Sequence, residues 1–405
     1  MKGNNATINA CLFIILMTVR ATCTVFVDFL PPILANIDYL VTVFIILIFM
    51  LQVIYSGING KKLIYLYELA NMGTSVVVIV LLSLYYCHKN YYGNWNFRST
   101  VEIFYLIIAM LIPFCCINLF ELKKMDKLMK VLLVIYIVLY IFEIGQTSFS
   151  FNDILKISLK NSYSPFESQK LSAYAMLMFV YFSTFKNREN YNSYIISIFF
   201  VLFAFKRTSI IFMCTLLVLD TIFIVRKKMR KWVNILIKFL FIIATIVYAL
   251  LLNADVQMAL YETFGIDLAQ FTSARAWFFN SLMNAGYKTS GYGTTTIELG
   301  RAWWDVGEKY LEMDLVKILL EVGIVGLVVF VWTYMNLARN NMYNQVILCY
   351  LFANMLFSHS LTNPYYWAIM LFVMGYNYYY QDEVEYFTSK RKYRYRKINI
   401  ILGEK

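Results

Sequence analysis

The chain has 405 residues, 60% of them hydrophobic and only 15% charged, with a mean hydropathy of +0.62. That balance excludes an ordinary soluble domain. The formal net charge of +12 does not point to nucleic acid, because the Lys and Arg residues gather at the ends of apolar runs. Such a distribution serves membrane topology rather than a polyanion-binding face.

In chain order, twelve apolar stretches read as membrane helices, near 8–30, 37–56, 63–86, 101–120, 131–149, 171–185, 191–205, 208–225, 233–252, 315–335, 344–361 and 364–380. Most approach the roughly 20 residues that a helix needs to cross a bilayer. The first is too long, and runs too directly into the second, to be a cleaved signal peptide. The expected architecture is an all-α polytopic membrane protein with about twelve transmembrane helices. Helices one to nine occupy 1–252, a large polar loop 253–314, helices ten to twelve 315–380 and a basic tail 381–405. With a cytoplasmic amino terminus, the inner segments collect about 22 Lys/Arg and the outer ones about 11. The positive-inside rule therefore places both termini in the cytoplasm and the loop outside the plasma membrane. No solenoid period and no inverted halves are visible. Most cysteines lie inside apolar runs, and His88 and His359 are not part of a Cys/His cluster, so neither a disulfide framework nor a structural zinc site is expected.

Lys206-Arg207 breaks the charge rule, falling in a short outer turn between two spans. These cations either snorkel to headgroups or form a fixed site for a phosphate-bearing ligand at the outer leaflet.

The 253–314 loop carries eight Asp/Glu against four Lys/Arg, so it is not a trap for polyanions. Its many aromatics, Trp277, Tyr292, Trp303 and Trp304 among them, suit stacking on sugar rings, although for any single ring an interfacial belt or a small loop core is the more ordinary role. Thr272 or Ser273 is placed to cap a helix whose first turn holds Arg275, a planar fork suited to a phosphate. Ordinary loop salt bridging is the alternative for Arg275. The Gly291-Tyr292-Gly293 turn does not follow a strand and is not a nucleotide fingerprint. At the close of the loop, Glu312 and Asp314 either complement the dipole of the tenth span or supply a general base at the membrane surface. Asp314, Lys317 and Glu321 share one helix face, and Gly323 and Gly326 permit close helix approach.

The stretch TSARAWFFNSL, then GYGTT, then LEMDLVKILLEVGIVGLVVF resembles the carboxy-terminal signature of bacterial O-antigen and capsular polysaccharide polymerases and ligases, the Wzy/WaaL type. The matching positions are Arg275 with Trp277, Gly291 with Gly293, and Glu321 with Gly323 and Gly326. Lys206-Arg207 matches the arginine that the family places at an outer helix end, and the likeness covers about 206–330. Where ligases carry a histidine, this chain has Glu312 or Met313, followed by Asp314, which tilts the resemblance toward polymerases. It implies a GT-C-like fold and a glycosyltransferase that joins undecaprenyl-diphosphate-linked oligosaccharide units, without a metal or other cofactor. On that reading Arg207, Arg275, Lys206 and Arg301 hold the diphosphate. Glu312 or Asp314 is the base, and Trp277, Trp303, Trp304 and Tyr292 meet sugars. Membrane lipid and a chain-length regulator are the implied partners, and nucleic acid is not one. The rivals are a ligase and a flippase, the latter with Arg20, Glu68, Glu143, Asp220 and Lys238 lining a cavity or pairing structurally.

Overall fold

The computed structural model describes residues 2–26, 29, 37–90, 95, 97–146, 166, 168, 170–186, 189–222, 229–265, 274–302 and 310–380. Among these, all regular structure is helical: fifteen α-helices and one 3₁₀ turn, with no strand. In order they are α1 (Lys2–Val25), α2 (Ile37–Ile58), α3 (Leu66–Asn90), α4 (Phe97–Leu119), α5 (Leu122–Gly145), α6 (Ser172–Thr184), α7 (Tyr191–Ala204), α8 (Arg207–Ile222) and α9 (Lys231–Leu251). The carboxy-terminal elements are α10 (Ala254–Phe264), α11 (Ala274–Asn284), α12 (Thr294–Ala302), α13 (Asp314–Met335), the 3₁₀ turn (Asn336–Ala338), α14 (Met342–Phe357) and α15 (Pro364–Tyr379).

Seven of the helices (α1–α5, α9 and α13 with its 3₁₀ extension) are long and apolar enough to cross a membrane. They make this a multi-pass membrane protein. Their outer faces agree with that: Leu40, Phe44, Leu47 and Leu51 form an exposed stripe along α2. Water would penalise such a stripe, whereas lipid tails accept it. Each of the twelve expected stretches coincides with a helix. Four of those helices, α6, α7, α14 and α15, have only 13 to 16 residues. At about 1.5 Å per residue they reach roughly 20–24 Å, short of a hydrocarbon core of about 30 Å. Residue counting in the sequence blurs this difference, because apolar turns flanking a short helix raise hydropathy as much as helix does.

Two units divide the chain, with boundaries at Tyr65/Leu66, Met110/Leu111, Val225/Arg226 and Trp367/Ala368. In the first (1–65, 111–225 and 368–405), α6 is apolar all round and almost wholly buried, as a central helix must be. Phe120 packs against Phe13 and Phe49 at ring-centroid separations of 5.6 and 6.0 Å. Polar groups here are matched locally. Asn118 exchanges two 3.0 Å hydrogen bonds with the backbone of Ile64, and Asp126 accepts from Tyr181 and Asn190. Arg20 forms a 3.0 Å ion pair with Asp38.

In the second unit (66–110 and 226–367), the 253–314 segment is not a bare loop. It builds α10–α12 and shares a core with the adjoining ends of α9 and α13, in which Leu252, Phe279, Leu282, Leu299, Leu311, Met313 and Val316 are buried. Asn253 caps α10 by accepting from the Asp255 amide at 2.9 Å, and Gly265 ends it with a left-handed φ of +65°. Helix α13 is kinked at Gly323, whose φ of +72° and ψ of −176° are non-helical. The glycine thus bends the helix, a role beyond the close approach expected of it.

Candidate functional site

The candidate site lies in the second unit, where the amino-terminal half of α13 meets α4, α12 and the 358–362 segment. Asp314, Lys317 and Glu321 do share a face, and all three are buried. Lys317 forms an ion pair with Glu102 of α4, and its ammonium stands 5.4 Å from the centre of the Tyr292 ring. Glu102 also accepts from Arg98 Nε at 3.1 Å and from Thr296 Oγ1 at 3.1 Å. Asp314 and Glu321 add their fields at Lys317, so three carboxylates surround one lysine, with Arg98 as the second cation. Charges so deep persist only when paired and hydrogen-bonded, and these are.

Glu321 has a defined task. Its carboxylate accepts from Gly293 N at 2.8 Å, Thr295 N at 2.9 Å and Thr295 Oγ1 at 2.6 Å, while its carbonyl accepts from Gly291 N at 2.9 Å. An anion thereby sits at the amino terminus of α12, satisfying orphan amides and complementing the helix dipole. The Gly-Tyr-Gly turn takes its shape from this. Gly291 and Gly293 have φ of +102° and +86°. A Cβ at Gly291 would lie 2.7 Å from Cys87 Sγ, and one at Gly293 3.1 Å from Ser99 Cα. Cys87 and Asn90 of α3 donate to the carbonyls of Ser290 and Thr289 at 2.8 and 2.5 Å, and Ser83 Oγ accepts from Tyr292 N at 2.9 Å.

Asp314 is held just as firmly. Its Oδ2 accepts from the amides of Ser360 and Leu361 at 2.5 and 2.8 Å and from Ser360 Oγ at 3.4 Å. Glu312 is different: it is 57% exposed and lies 3.5 Å from Arg275, whose side chain is 23% exposed. Arg275 sits in the first turn of α11, as expected, but the proposed caps Thr272 and Ser273 lie outside the described residues. Among the described residues, the Nε of Arg275 is buried without a hydrogen-bond partner. The predicted cation and one predicted base are thus brought together as an ion pair.

Of the other sequence-predicted residues, Tyr292 is buried and presents no open ring face. Burial, reinforced by Glu102, Asp314 and Glu321, pushes its phenol well above the usual range, so it stays neutral. Trp277 is 47% exposed on α11 and packs edge-on against Phe278. Arg301 is exposed and paired with Glu298 at 2.7 Å, one helical turn away. Trp303 and Trp304 lie outside the described residues. Lys206 and Arg207 belong to the first unit, Lys206 half-buried and Arg207 exposed at the start of α8, after the left-handed Phe205 with φ of +51°.

Four residues of the cluster escape sequence reading. Arg98 and Glu102 are an i,i+4 pair entering α4, and a carboxylate inside an apolar run was the available signal. Tyr310 lies between Arg98, 5.0 Å from its ring centre, and His359, whose ring is 4.6 Å away. Thr362 Oγ1 approaches the His359 ring nitrogens at 3.1 and 3.3 Å. Only folding joins His359 to this cluster, from the far end of α14.

No protein-family model matches the chain, and neither curated proteins nor solved structures contain a detectable relative.

Proposed function

We propose that the protein is a membrane-embedded polysaccharide polymerase, a glycosyltransferase that joins polyprenyl-diphosphate-linked oligosaccharide units at the outer face of the plasma membrane. On this reading both termini are cytoplasmic, and α10–α12 lie on the outer side of the membrane. In the reaction an acceptor hydroxyl oxygen attacks the anomeric carbon of the donor sugar. The bond from that carbon to the phosphate oxygen breaks, lipid diphosphate departs, and the hydroxyl proton passes to a base.

The observation that carries the reading is the Arg275–Glu312 pair at 3.5 Å, beside the start of α13. A leaving diphosphate needs a cation, an attacking hydroxyl needs a base, and both kinds of group stand together here. Glu312 suits the base role better than Asp314. It is solvent-accessible, whereas Asp314 Oδ2 is already occupied by Ser360 and Leu361. Arg207 remains the second proposed cation, as the motif resemblance implies. Glu321 positions the Gly-Tyr-Gly turn and takes no part in proton transfer. The transport rival loses support because its candidate cavity charges have local partners: Arg20 with Asp38, Glu68 with Arg339, Glu143 with Ser168 and Lys238 with Asn336. Asp220 has no described side-chain environment.

The test is to express Arg275→Ala, Arg207→Ala and Glu312→Gln chains in a strain deleted for the native gene and to analyse its lipid-linked saccharides. Removing one preorganised charge partner should slow polymerisation about 10²–10³-fold. Single repeat units should accumulate on lipid at unchanged protein level. Normal polymer length in all three variants would overturn the proposal. In the deletion strain itself, full-length polymer retained on lipid would assign a ligase, and units confined to the inner leaflet a flippase.

A further inference from the structure

The sequence of α10 is amphipathic, yet none of its residues is buried. Met258, Tyr261 and Phe264, at i, i+3 and i+6, are 66%, 62% and 68% exposed. Asp255 and Glu262, seven residues apart, occupy the adjoining arc, one turn before and one turn after Met258, and are exposed as well. Val256, Gln257 and Leu260 are half-buried and face the rest of the unit. The helix therefore has three sides: one against protein, one acidic, and one apolar and uncovered.

Its position says what covers the apolar side. Only Leu252 and Asn253 separate α10 from the end of the membrane span α9. The elbow between them is tied down: Gln257 Nε2 donates to Leu251 O at 3.1 Å, and Asn280 accepts from Ala254 N at 3.0 Å while donating to Leu252 O at 2.9 Å. A helix that begins two residues beyond a span cannot leave the bilayer edge, and its 11 residues extend about 16 Å along it. We infer that α10 lies in the membrane interface with Met258, Tyr261 and Phe264 seated in lipid and Asp255 and Glu262 turned to water. The helix contains no Lys or Arg, so apolar burial rather than anionic headgroups drives the contact. This inference stands apart from the proposed chemistry and holds whatever reaction the protein performs.

A chain with Cys11→Ser and Cys214→Ser serves as the parent and background for labelling. Into it go, one at a time, Met258→Cys, Tyr261→Cys, Phe264→Cys, Asp255→Cys and Glu262→Cys, with Leu240→Cys on the exposed face of α9 as reference. Each is labelled with a small fluorophore and reconstituted in phosphatidylcholine vesicles. Labels at 240, 258, 261 and 264 should be quenched by nitroxide lipids and shielded from iodide, and those at 255 and 262 the reverse. Adding phosphatidylglycerol should leave the pattern unchanged, and Phe264→Asp should abolish lipid quenching at 258. Equal iodide access at all five α10 positions would overturn the inference. So would shielding of 258, 261 and 264 from both quenchers, which would mean that protein covers them, or a pattern that needs anionic lipid.

Discussion

At the residue scale, the buried charges of the second unit are the most exacting feature. Lys317 and Glu102 are each only a few per cent exposed, so removing either strips the other of its direct ion-pair partner in a buried place. Glu102→Gln or Lys317→Met should each lower stability by about 3–5 kcal/mol, read as a drop in thermal midpoint in detergent. The double variant Glu102→Gln/Lys317→Met should recover much of that loss, because it removes both charges together. Additive losses would show that the two residues do not act as a pair. Glu321→Ala removes the acceptor of three hydrogen bonds and leaves the Gly293 and Thr295 amides unsatisfied. It should cost about 1–3 kcal/mol or more and speed hydrogen exchange at these two amides before the global transition.

At the element scale, the Gly-Tyr-Gly turn and α12 form one device fastened to α13 and α3. Gly291→Ala should be strongly destabilising, since its φ of +102° and the 2.7 Å approach to Cys87 Sγ both exclude a side chain. Gly300, inside α12, has open space where a Cβ would go. Gly300→Ala should therefore be neutral or stabilise by about 0.4–1 kcal/mol. The pair of variants, compared by protease resistance of the 285–302 region, separates a strained turn from generic sensitivity of the segment. Equal resistance of the two would contradict this account of the turn.

At the scale of the whole molecule, the proposed orientation makes opposite sides of the membrane accessible to different residues. Lys62 and Lys288 are both exposed. In cells, Lys288→Cys should react with a membrane-impermeant maleimide from outside, and Lys62→Cys only after permeabilisation. Labelling of both from one side would contradict the charge-based topology. The local pairing of Arg20, Glu68, Glu143 and Lys238 also belongs to this scale: charges matched within each unit stabilise a packed bundle rather than line an open aqueous path.

The sequence by itself determined that the chain is all helical and built for a bilayer, because hydropathy is a property of composition along the chain and needs no partner. It also placed the twelve helical stretches, put Arg275 in a first helical turn and grouped Asp314, Lys317 and Glu321 on one face, since helical periodicity is local. Helix length was less legible, and four of the twelve proved shorter than a full crossing. Which charges meet was decided only by tertiary structure. Glu102 and Lys317 are 215 positions apart, and His359 joins Tyr310 across the length of α13 and α14. The tasks of Asp314 and Glu321, one fastening the 360–361 amides and the other the start of α12, likewise appear only once the chain is packed. A carboxylate's role depends on which donors surround it, and no spacing within a single helix specifies those.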